Sequence, residues 1–293
     1  MNPNLVILAG GISSRMRKPG VLVNNLDPTL MRQAQQSSKS IIGIGEQQRP
    51  FLDYLLYNAH EAGYRDVVMV VGEHHEEVRT LYGEQDSGNK FHGISISYAV
   101  QNIPQGRIKP LGTADALLRA LLTRPDWKGT TFTVCNSDNL YSRQALRALL
   151  VTSHPCAMID YDRDALQFEQ SKIEQFAVIQ KDENGFLTQI IEKPKPGELA
   201  TAKDAGGRIG ISMNIFRFSY DVILPILQRV PLHPVRLEKE LPRAVMMLVK
   251  SNPGAMMTIP FSEHVPDLTC QDDIGLVQEF LRKEFPGFRW GLM

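Results

Sequence analysis

The sequence contains few cysteines and no excess of either charge. Its 293 residues include only Cys135, Cys156 and Cys270, and 32 acidic residues balance 32 basic ones. Three scattered cysteines form neither a metal-ligand pattern nor a disulfide framework, so a reducing cytoplasm is the simplest expectation. A neutral chain also lacks the basic surface that nucleic acids and anionic membranes favour. We therefore expect small-molecule partners, and leave association into a homo-oligomer open.

The sequence also lacks long apolar runs and two familiar phosphate-binding motifs. Its longest apolar runs have the length of strands, so we expect no membrane span, and we expect no signal peptide at the N-terminus. No Walker-type Gly-Lys-Ser/Thr motif occurs, and the first glycine-rich loop lacks the third glycine of the Gly-x-Gly-x-x-Gly fingerprint. These absences argue against a P-loop NTPase and a typical dinucleotide-binding protein.

What is present near the N-terminus is an apolar run that ends in glycines. Residues Leu5–Ala9 predict a buried parallel strand, and the pair Gly10–Gly11 lets the backbone turn sharply and approach a ligand. The following Ser13–Arg15 adds two hydroxyls and a guanidinium to the free N–H groups of such a loop. This combination is suited to phosphates; the alternative is an ordinary turn between a strand and a helix.

Strand-like and helix-like segments alternate through the first half of the chain. The alternation predicts an α/β fold, with a parallel sheet, helices on both faces and ligands at the carboxyl ends of the strands. The glycine-rich loop and Asn136–Asn139 should therefore meet in one cleft. We expect strands at Leu5–Ala9, Val67–Val71, Ile94–Ala99, Phe132–Asn136 and Cys156–Asp160, and helices at Phe51–Glu61, Glu73–Tyr82, Thr113–Leu122 and Arg143–Thr152.

The second half predicts mixed-sheet additions around the same core. A hairpin is expected from Phe176–Ile179 to Leu187–Glu192, because Lys181–Gly185 is a turn sequence. Further strands are expected at Ile209–Phe218 and Ala255–Pro260, and helices at Tyr220–Val230, Glu238–Lys250 and Asp273–Phe285.

The segment Pro19–Ser38 has no clear periodicity and holds many polar and small residues. Such a segment is typical of a mobile flap or insertion over a cleft, and a plain surface loop is the alternative.

Several motifs occur in a characteristic order. They are Leu8–Met16, Ser38–Gly45, Arg49–Tyr54, Ala62–Val68, Gln101, Gly112–Ala116, Asn136–Asn139, Glu192–Pro194 and Asp267–Thr269. On these motifs the chain resembles the sugar nucleotidyltransferase family, the sugar-1-phosphate nucleotidylyltransferases or pyrophosphorylases, from residue 5 to about residue 275. The resemblance implies a Rossmann-like, GT-A-like fold with a mostly parallel central sheet and mixed-sheet additions that bind the sugar.

The resemblance also implies a reaction, in which an NTP and a sugar 1-phosphate give an NDP-sugar and pyrophosphate, with Mg²⁺ as cofactor. A phosphate monoester is already ionised at neutral pH. The reaction therefore needs two anions held in line and their charge neutralised, rather than acid–base help. We expect one domain over residues 1–293, with a nucleotide-binding half at about 1–160 and a sugar-phosphate-binding half at about 161–293.

The resemblance places the catalytic cations in the first half. Arg15 is expected to hold the β- and γ-phosphates, and Lys39 to contact the transferring phosphate. The alternative for Arg15 is a surface arginine in the first turn of a helix. Lys18 is the rival of Lys39, because Ser38 stands where the family usually has a proline. The residues expected to bind the nucleotide are Ala9, Gly10, Gly11, Ser13, Ser14, Gln101, Gly112 and Thr113.

Base recognition and the metal site are also implied by the resemblance. Gln101 would pair with the base through its amide, and Thr113 could serve both as helix N-cap and as ligand. Asp138, which is also a predicted catalytic residue, and Asp267 would hold Mg²⁺, since two carboxylates with phosphate oxygens make a typical site for this ion. The alternative for both aspartates is a turn or helix-cap role.

The sugar side is assigned to later motifs. Glu192 would accept from sugar hydroxyls and Lys193 would meet the sugar phosphate, with a solvated strand end as the alternative. Asn139, Asn214 and Arg217 are the remaining expected contacts of the sugar phosphate.

Two other functions fit the same core. One is a cytidylyltransferase acting on a phosphorylated alcohol such as phosphocholine, and the other is a regulatory paralogue that binds a nucleotide sugar without turnover. The sequence leaves the sugar, the base and the oligomeric state open.

Overall fold

A single mixed sheet runs through both halves of the chain. The computed structural model describes residues 3–18, 20 and 27–290. Its strands are β1 Asn4–Leu8, β2 Asp66–Val71, β3 Asn89–Phe91, β4 Ile94–Val100, β5 Thr131–Asn136, β6 Ala157–Asp162, β7 Ala177–Lys181, β8 Leu187–Ile191, β9 Gly210–Ser212, β10 Phe216–Ser219 and β11 Met257–Phe261. Its α-helices are α1 Pro28–Gln36, α2 Phe51–Ala62, α3 Glu76–Tyr82, α4 Thr113–Thr123, α5 Arg143–Val151, α6 Gln170–Ile173, α7 Pro196–Thr201, α8 Tyr220–Leu227, α9 Leu241–Ser251 and α10 Asp273–Glu284.

The sheet is parallel in its first half and mixed in its second. The strand order is β3-β4-β2-β1-β5-β10-β6-β9-β7-β8, and β11 also pairs with β6. Strands β4, β2, β1 and β5 are parallel, whereas β10 is antiparallel to both β5 and β6. The expected hairpin forms, with β7 antiparallel to β8. The α/β architecture predicted from the alternation is therefore confirmed.

The sheet separates two apolar cores. Side chains alternate between its faces along β1, so Leu5 and Ile7 join one core and Val6 joins the other. Helices α2, α5 and α10 cover the first face, and α4, α8 and α9 cover the second. These three residues are fully buried, which explains why β1 is apolar from Leu5 onward. No helix among the described residues is long and apolar enough to cross a membrane.

The segment over residues 19–38 is more regular than expected. Pro19 and residues 21–26 lie outside the described residues, but Pro28–Gln36 forms α1. The Asp27 carboxylate caps this helix by accepting from the Thr29 N–H at 2.7 Å, and the helix begins with a proline. The expectation of an irregular loop is therefore wrong for this part of the segment. The helix was missed because only Leu30 and Ala34 are buried, which leaves too few apolar positions to show a helical period.

The expected strand Ile209–Phe218 is divided into β9 and β10. Asn214, between the two strands, has a φ of +55°, a left-handed conformation that a regular strand does not contain. Both pieces pair with β6, at Asp162 and Tyr161 for β9 and at Met158 and Ala157 for β10. The prediction of one continuous strand is therefore wrong at this kink.

Candidate active site

A cavity of about 330 Å³ lies at the carboxyl ends of β1 and β5. The glycine-rich loop forms one side, and the beginning of α4 forms another. All eight residues predicted to bind the nucleotide line this cavity, and so do Arg15, Lys39 and Asp138. The expected meeting of the two loops in one cleft thus occurs in the structure.

The glycine-rich loop extends the sheet and then turns away from it. The Ala9 N–H donates to the Val70 carbonyl at 2.8 Å, and the chain leaves the sheet after this bond. Gly10 lies beside β2 and Gln101, and a Cβ there would make ordinary contact with the Val71 carbonyl carbon at 3.4 Å. Ser13 has a φ of +53°, and its hydroxyl accepts from the Lys39 N–H at 3.2 Å. Arg15 is exposed in a turn rather than in an α-helix, which leaves its guanidinium accessible at the cavity.

Of the two candidate lysines, Lys39 is the one that the fold brings to the cavity. It begins a short 3₁₀ turn, Lys39–Ile41, and its Nζ forms an ion pair with Oδ2 of Asp138. Both side chains are largely shielded from solvent, with 18% and 13% exposure. Lys18 is exposed and does not line the cavity among the described residues. The geometry therefore favours Lys39 over its rival as the group that meets a phosphate.

Asp138 and Asp267 lie on neighbouring segments. The Leu268 N–H donates to the Asp138 carbonyl at 2.8 Å, which holds the loop after β5 against the loop before α10. Asp267 is buried, and the Thr269 hydroxyl donates to its carboxylate at 2.6 Å. Burial, followed by the negative charge of Asp138, raises the pKa of Asp267. The fold thus brings the two predicted metal ligands together at a cost in electrostatic repulsion.

Lys172 is a charged neighbour that the sequence analysis missed. Its Nζ lies 3.2 Å from Oδ2 of Asp267 and 2.7 Å from Oδ1 of Asp273. Burial opposes its charge, but the two carboxylates outweigh burial and raise the pKa of Lys172. The lysine lies in the short helix α6, far from both aspartates in sequence, and no pattern in the sequence links the three residues.

The predicted base-recognition residues are held by hydrogen bonds. Nε2 of Gln101 donates at 2.9 Å both to the Gly112 carbonyl and to Oδ2 of Asp115. Gly112 has a φ of +102° and occupies the N-cap position of α4, so Thr113 is not the cap that was expected. The Thr113 hydroxyl instead accepts from the Leu241 N–H at 2.9 Å.

Among the residues predicted for the sugar side, Glu192, Lys193 and Arg217 do not line the cavity. Glu192 forms an ion pair with Arg236, and Lys193 is exposed with a φ of +49°. Arg217 is buried at a distance from the cavity, where its guanidinium donates to the carbonyls of the last turn of α5, at 2.7 Å for Leu149. The structure therefore gives Arg217 a helix-capping position and does not bring it to the sugar side.

The two asparagines predicted for the sugar side are also outside the cavity lining. Asn139 is buried, pairs with Asp267 through a backbone bridge, and accepts from the Tyr141 hydroxyl at 3.4 Å. Asn214 is half-buried at the kink between β9 and β10. Asn139 thus contacts the segment of Asp267 and does not face the cavity.

Comparisons with known proteins show the family of the chain. The family model described as nucleotidyl transferase matches residues 29–255. The match begins after the glycine-rich loop and ends before Asp267, so it covers Lys39 and Asp138 but not Arg15.

Individual relatives are distant. The chain is 27% identical over 136 residues to a D-glycero-α-D-manno-heptose 1-phosphate guanylyltransferase of Aneurinibacillus thermoaerophilus, covering 46% of each chain. It is 25% identical over 209 residues to the bifunctional protein GlmU of Staphylococcus epidermidis, covering 69% of this chain and 40% of the relative. The chain thus spans less than half the length of these curated relatives.

A solved structure shows the same fold at lower identity. A UDP-glucose pyrophosphorylase in complex with UDP-glucose matches with a TM-score of 0.68 and 15% identity, over 97% of this chain and 100% of the other. The shared architecture, together with the family match over most of the sequence, identifies the chain as a member of the nucleotidyl transferase family.

Proposed function

We propose that the protein transfers a nucleotidyl group from an NTP to a sugar 1-phosphate, giving an NDP-sugar and pyrophosphate. The observation that carries this proposal is the ion pair of Lys39 with Asp138 beside the glycine-rich loop, inside the cavity at the end of β1. The arrangement offers cations and backbone N–H groups to phosphates next to a carboxylate that suits a metal ion. The heptose 1-phosphate guanylyltransferase similarity supports a sugar 1-phosphate as the acceptor.

The proposed reaction uses the charged groups of the cavity. A non-bridging oxygen of the sugar phosphate attacks the α-phosphorus of the NTP, the bond from that phosphorus to the β-phosphate oxygen breaks, and pyrophosphate leaves with the electron pair. Arg15 holds the β- and γ-phosphates as the leaving group gains charge, and Lys39 stays beside the transferring phosphate. No proton needs to move to or from the protein, because the nucleophile is already an anion.

The residues at the Asp138 carboxylate fit a magnesium ion. Asp138 and Asp267 lie on adjacent segments. Burial, followed by the negative charge of Asp138, raises the pKa of Asp267, and a divalent cation would relieve the repulsion between the two carboxylates. No group of three or more acidic, histidine or cysteine side chains that could hold a metal ion occurs among the described residues, and phosphate oxygens and water would complete the coordination. When bound, Mg²⁺ supplies charge neutralisation to the phosphates.

We place the sugar phosphate toward Glu192 and Lys193, which follow β8 in the second half of the chain. Glu192 is fixed by Arg236, and this ion pair orients its carboxylate. Lys193 is exposed, so its ammonium group is accessible to the phosphate of a bound sugar phosphate. The metal-side residue Asn139 and the kink residue Asn214 remain proposed contacts of the sugar.

A matrix of substrates tests the proposal. The protein is incubated with each of the common NTPs and a panel of sugar 1-phosphates in Mg²⁺, and pyrophosphate release is measured. We expect release with at least one sugar 1-phosphate, and none after chelation of the metal. Turnover of phosphocholine with CTP, and of no sugar 1-phosphate, would contradict the proposal and indicate a cytidylyltransferase. Binding of a nucleotide sugar without any turnover would also contradict the proposal and indicate a regulatory protein.

A further inference from the structure

Two loops that have no role in the reaction above form a wall of the nucleotide cavity. One comprises residues 102–111, between Gln101 and α4, and the other comprises residues 231–240, before α9. Lys109 and Glu238 from these loops line the cavity, and Nζ of Lys109 lies 2.6 Å from Oε1 of Glu238. Their side chains are 36% and 29% exposed. An ion pair with this much exposure adds little stability, and both side chains are accessible to a ligand in the cavity.

Backbone contacts fix Glu238 close to Gly112. The Ala114 N–H donates to the Lys239 carbonyl at 2.9 Å, which ties the second loop to the first turn of α4. Cβ of Glu238 lies 3.0 Å from the position that a Cβ on Gly112 would take. Because Gln101 donates to the Gly112 carbonyl, the Glu238 carboxylate and the Gln101 amide belong to the same end of the cavity.

Asp115 determines which way the Gln101 amide points. Nε2 of Gln101 donates to two groups, the Gly112 carbonyl and the buried Asp115 carboxylate. The reversed amide would set its oxygen against both of these oxygens, so only one orientation is favourable. Oε1 of Gln101 therefore faces the other way, 3.5 Å from the position of a Cβ on Gly10. Gln101 presents an acceptor, and not a donor, on the side of the glycine-rich loop.

The wall and the neighbouring Gln101 together offer one donor, the Lys109 ammonium, and two acceptors, the Glu238 carboxylate and Oε1 of Gln101. The Watson–Crick edge of guanine has the complementary set, the O6 acceptor followed by the N1–H and N2–H donors. Uracil and thymine place one donor between two acceptors, cytosine has one donor and two acceptors, and adenine lacks a second donor. Each of these bases would leave one of these polar groups unpaired or facing a like group, which weakens binding.

We infer that this wall selects guanine nucleotides, with Lys109 and Glu238 contacting the base and Asp115 as a positioning residue for Gln101. The inference rests on the proposed function, because it names the base of the NTP that the reaction consumes.

Binding of nucleoside diphosphates tests the inference without an acceptor substrate. Isothermal titration calorimetry of the whole protein compares GDP, IDP, ADP, UDP and CDP in Mg²⁺. We expect GDP to bind roughly 100-fold more tightly than ADP, UDP or CDP. IDP lacks the N2 amino group and should bind about 10-fold more weakly than GDP, the loss of one hydrogen bond. Equal or tighter binding of ADP, UDP or CDP would overturn the inference.

Three variants separate the roles of the residues. Glu238→Gln should lower GDP affinity by about 10- to 100-fold and change ADP affinity little, as expected for a charged hydrogen bond. Asp115→Asn frees the Gln101 amide to rotate and should remove most of the difference between GDP and IDP. The exposed Glu284→Gln serves as the matched control and should preserve wild-type selectivity. An unchanged GDP to IDP ratio in folded Asp115→Asn, or unchanged GDP affinity in folded Glu238→Gln, would contradict the assignment.

The failures of the two proposals differ. Guanine-selective binding without turnover of any sugar 1-phosphate would leave the base assignment standing and overturn the proposed reaction. Turnover of a sugar 1-phosphate with another NTP, at equal or better efficiency than with GTP, would leave the proposed reaction standing and overturn the base assignment.

Discussion

The Lys39 ammonium pairs with the Asp138 carboxylate across 99 positions of sequence. Through this contact the turn before α2 meets the loop after β5, at the edge of the sheet where the glycine-rich loop also lies. In the proposed reaction the same contact keeps a cation beside the position of the transferring phosphate. The charges that the reaction needs are thus in place before the substrates bind, which is the condition for efficient electrostatic stabilisation.

Replacing Asp138 should therefore impair turnover strongly. Asp138→Asn keeps the shape of the side chain and removes its charge. We expect kcat for pyrophosphate release to fall by roughly 10²-fold or more, the scale on which a key electrostatic group acts. Asp126→Asn, at an exposed aspartate paired with Arg124, is the control and should retain activity. Equal activity of folded Asp138→Asn and the control would contradict the proposed role.

The two candidate lysines should differ in kinetics. Lys39→Ala should depress kcat by about 10²-fold, because its contact strengthens as charge develops in the transition state. Lys18→Ala should stay within about 3-fold of wild type, because Lys18 is exposed and outside the cavity lining. Steady-state kinetics of both variants check this, and the opposite order would show that the signature lysine precedes the segment that contains α1.

The sequence predicts those parts of the fold that have a strong local period. The buried strand β1 is apolar at consecutive positions, and α5 carries a clear apolar face. The helix α1 escaped prediction because two buried residues give too weak a pattern. The kink at Asn214 depends on a left-handed backbone conformation that the alternation of apolar residues does not encode. Local pattern therefore predicts the strongly periodic elements and misses both α1 and this kink.

The candidate active site could likewise be predicted only in part from the sequence. Ordered motifs indicate Gln101 and Asp138, because each follows a strand and faces the sheet edge where ligands bind. The charged neighbours Lys109 and Lys172 belong to other loops and helices, and only the folded chain brings them close. Arg217 shows the converse, since a polar residue in a predicted sugar-side strand is used to cap a helix.

Gly112 should be sensitive to the addition of a single methyl group. A Cβ there would lie 2.7 Å from the Lys239 carbonyl oxygen, and the φ of +102° is unfavourable for any L side chain. Gly129 has a φ of +76° and open space around its Cβ position, so Gly129→Ala isolates the backbone effect. We expect Gly112→Ala to lower the free energy of unfolding by at least ~1 kcal/mol more than the control. Equal losses in urea unfolding would argue against the close packing of this wall.

Stability should depend on pH through His264. Burial, followed by the charge of Lys172, lowers the pKa of His264 to about 4, and its Nδ1 accepts from the Gln167 N–H at 3.1 Å. Between the folded pKa and the ordinary value near 6.5, the unfolded chain binds the extra proton, so the free energy of unfolding should fall as pH decreases through this range. His264→Gln should show a shallower dependence between about pH 4 and 6.5 in urea titrations. If the free energy of unfolding depends on pH with the same slope in the variant, His264 is excluded as a source of the pH dependence.

The fate of the α-phosphorus tests the central claim most directly. The protein is incubated with a sugar 1-phosphate and an NTP that is radiolabelled at the α-phosphorus, and the products are separated. We predict that the label appears in an NDP-sugar, in a one-to-one ratio with unlabelled pyrophosphate, and that Asp138→Asn suppresses both products together. Label released as free NMP, or retained unreacted with every sugar 1-phosphate tried, would contradict nucleotidyl transfer at this site.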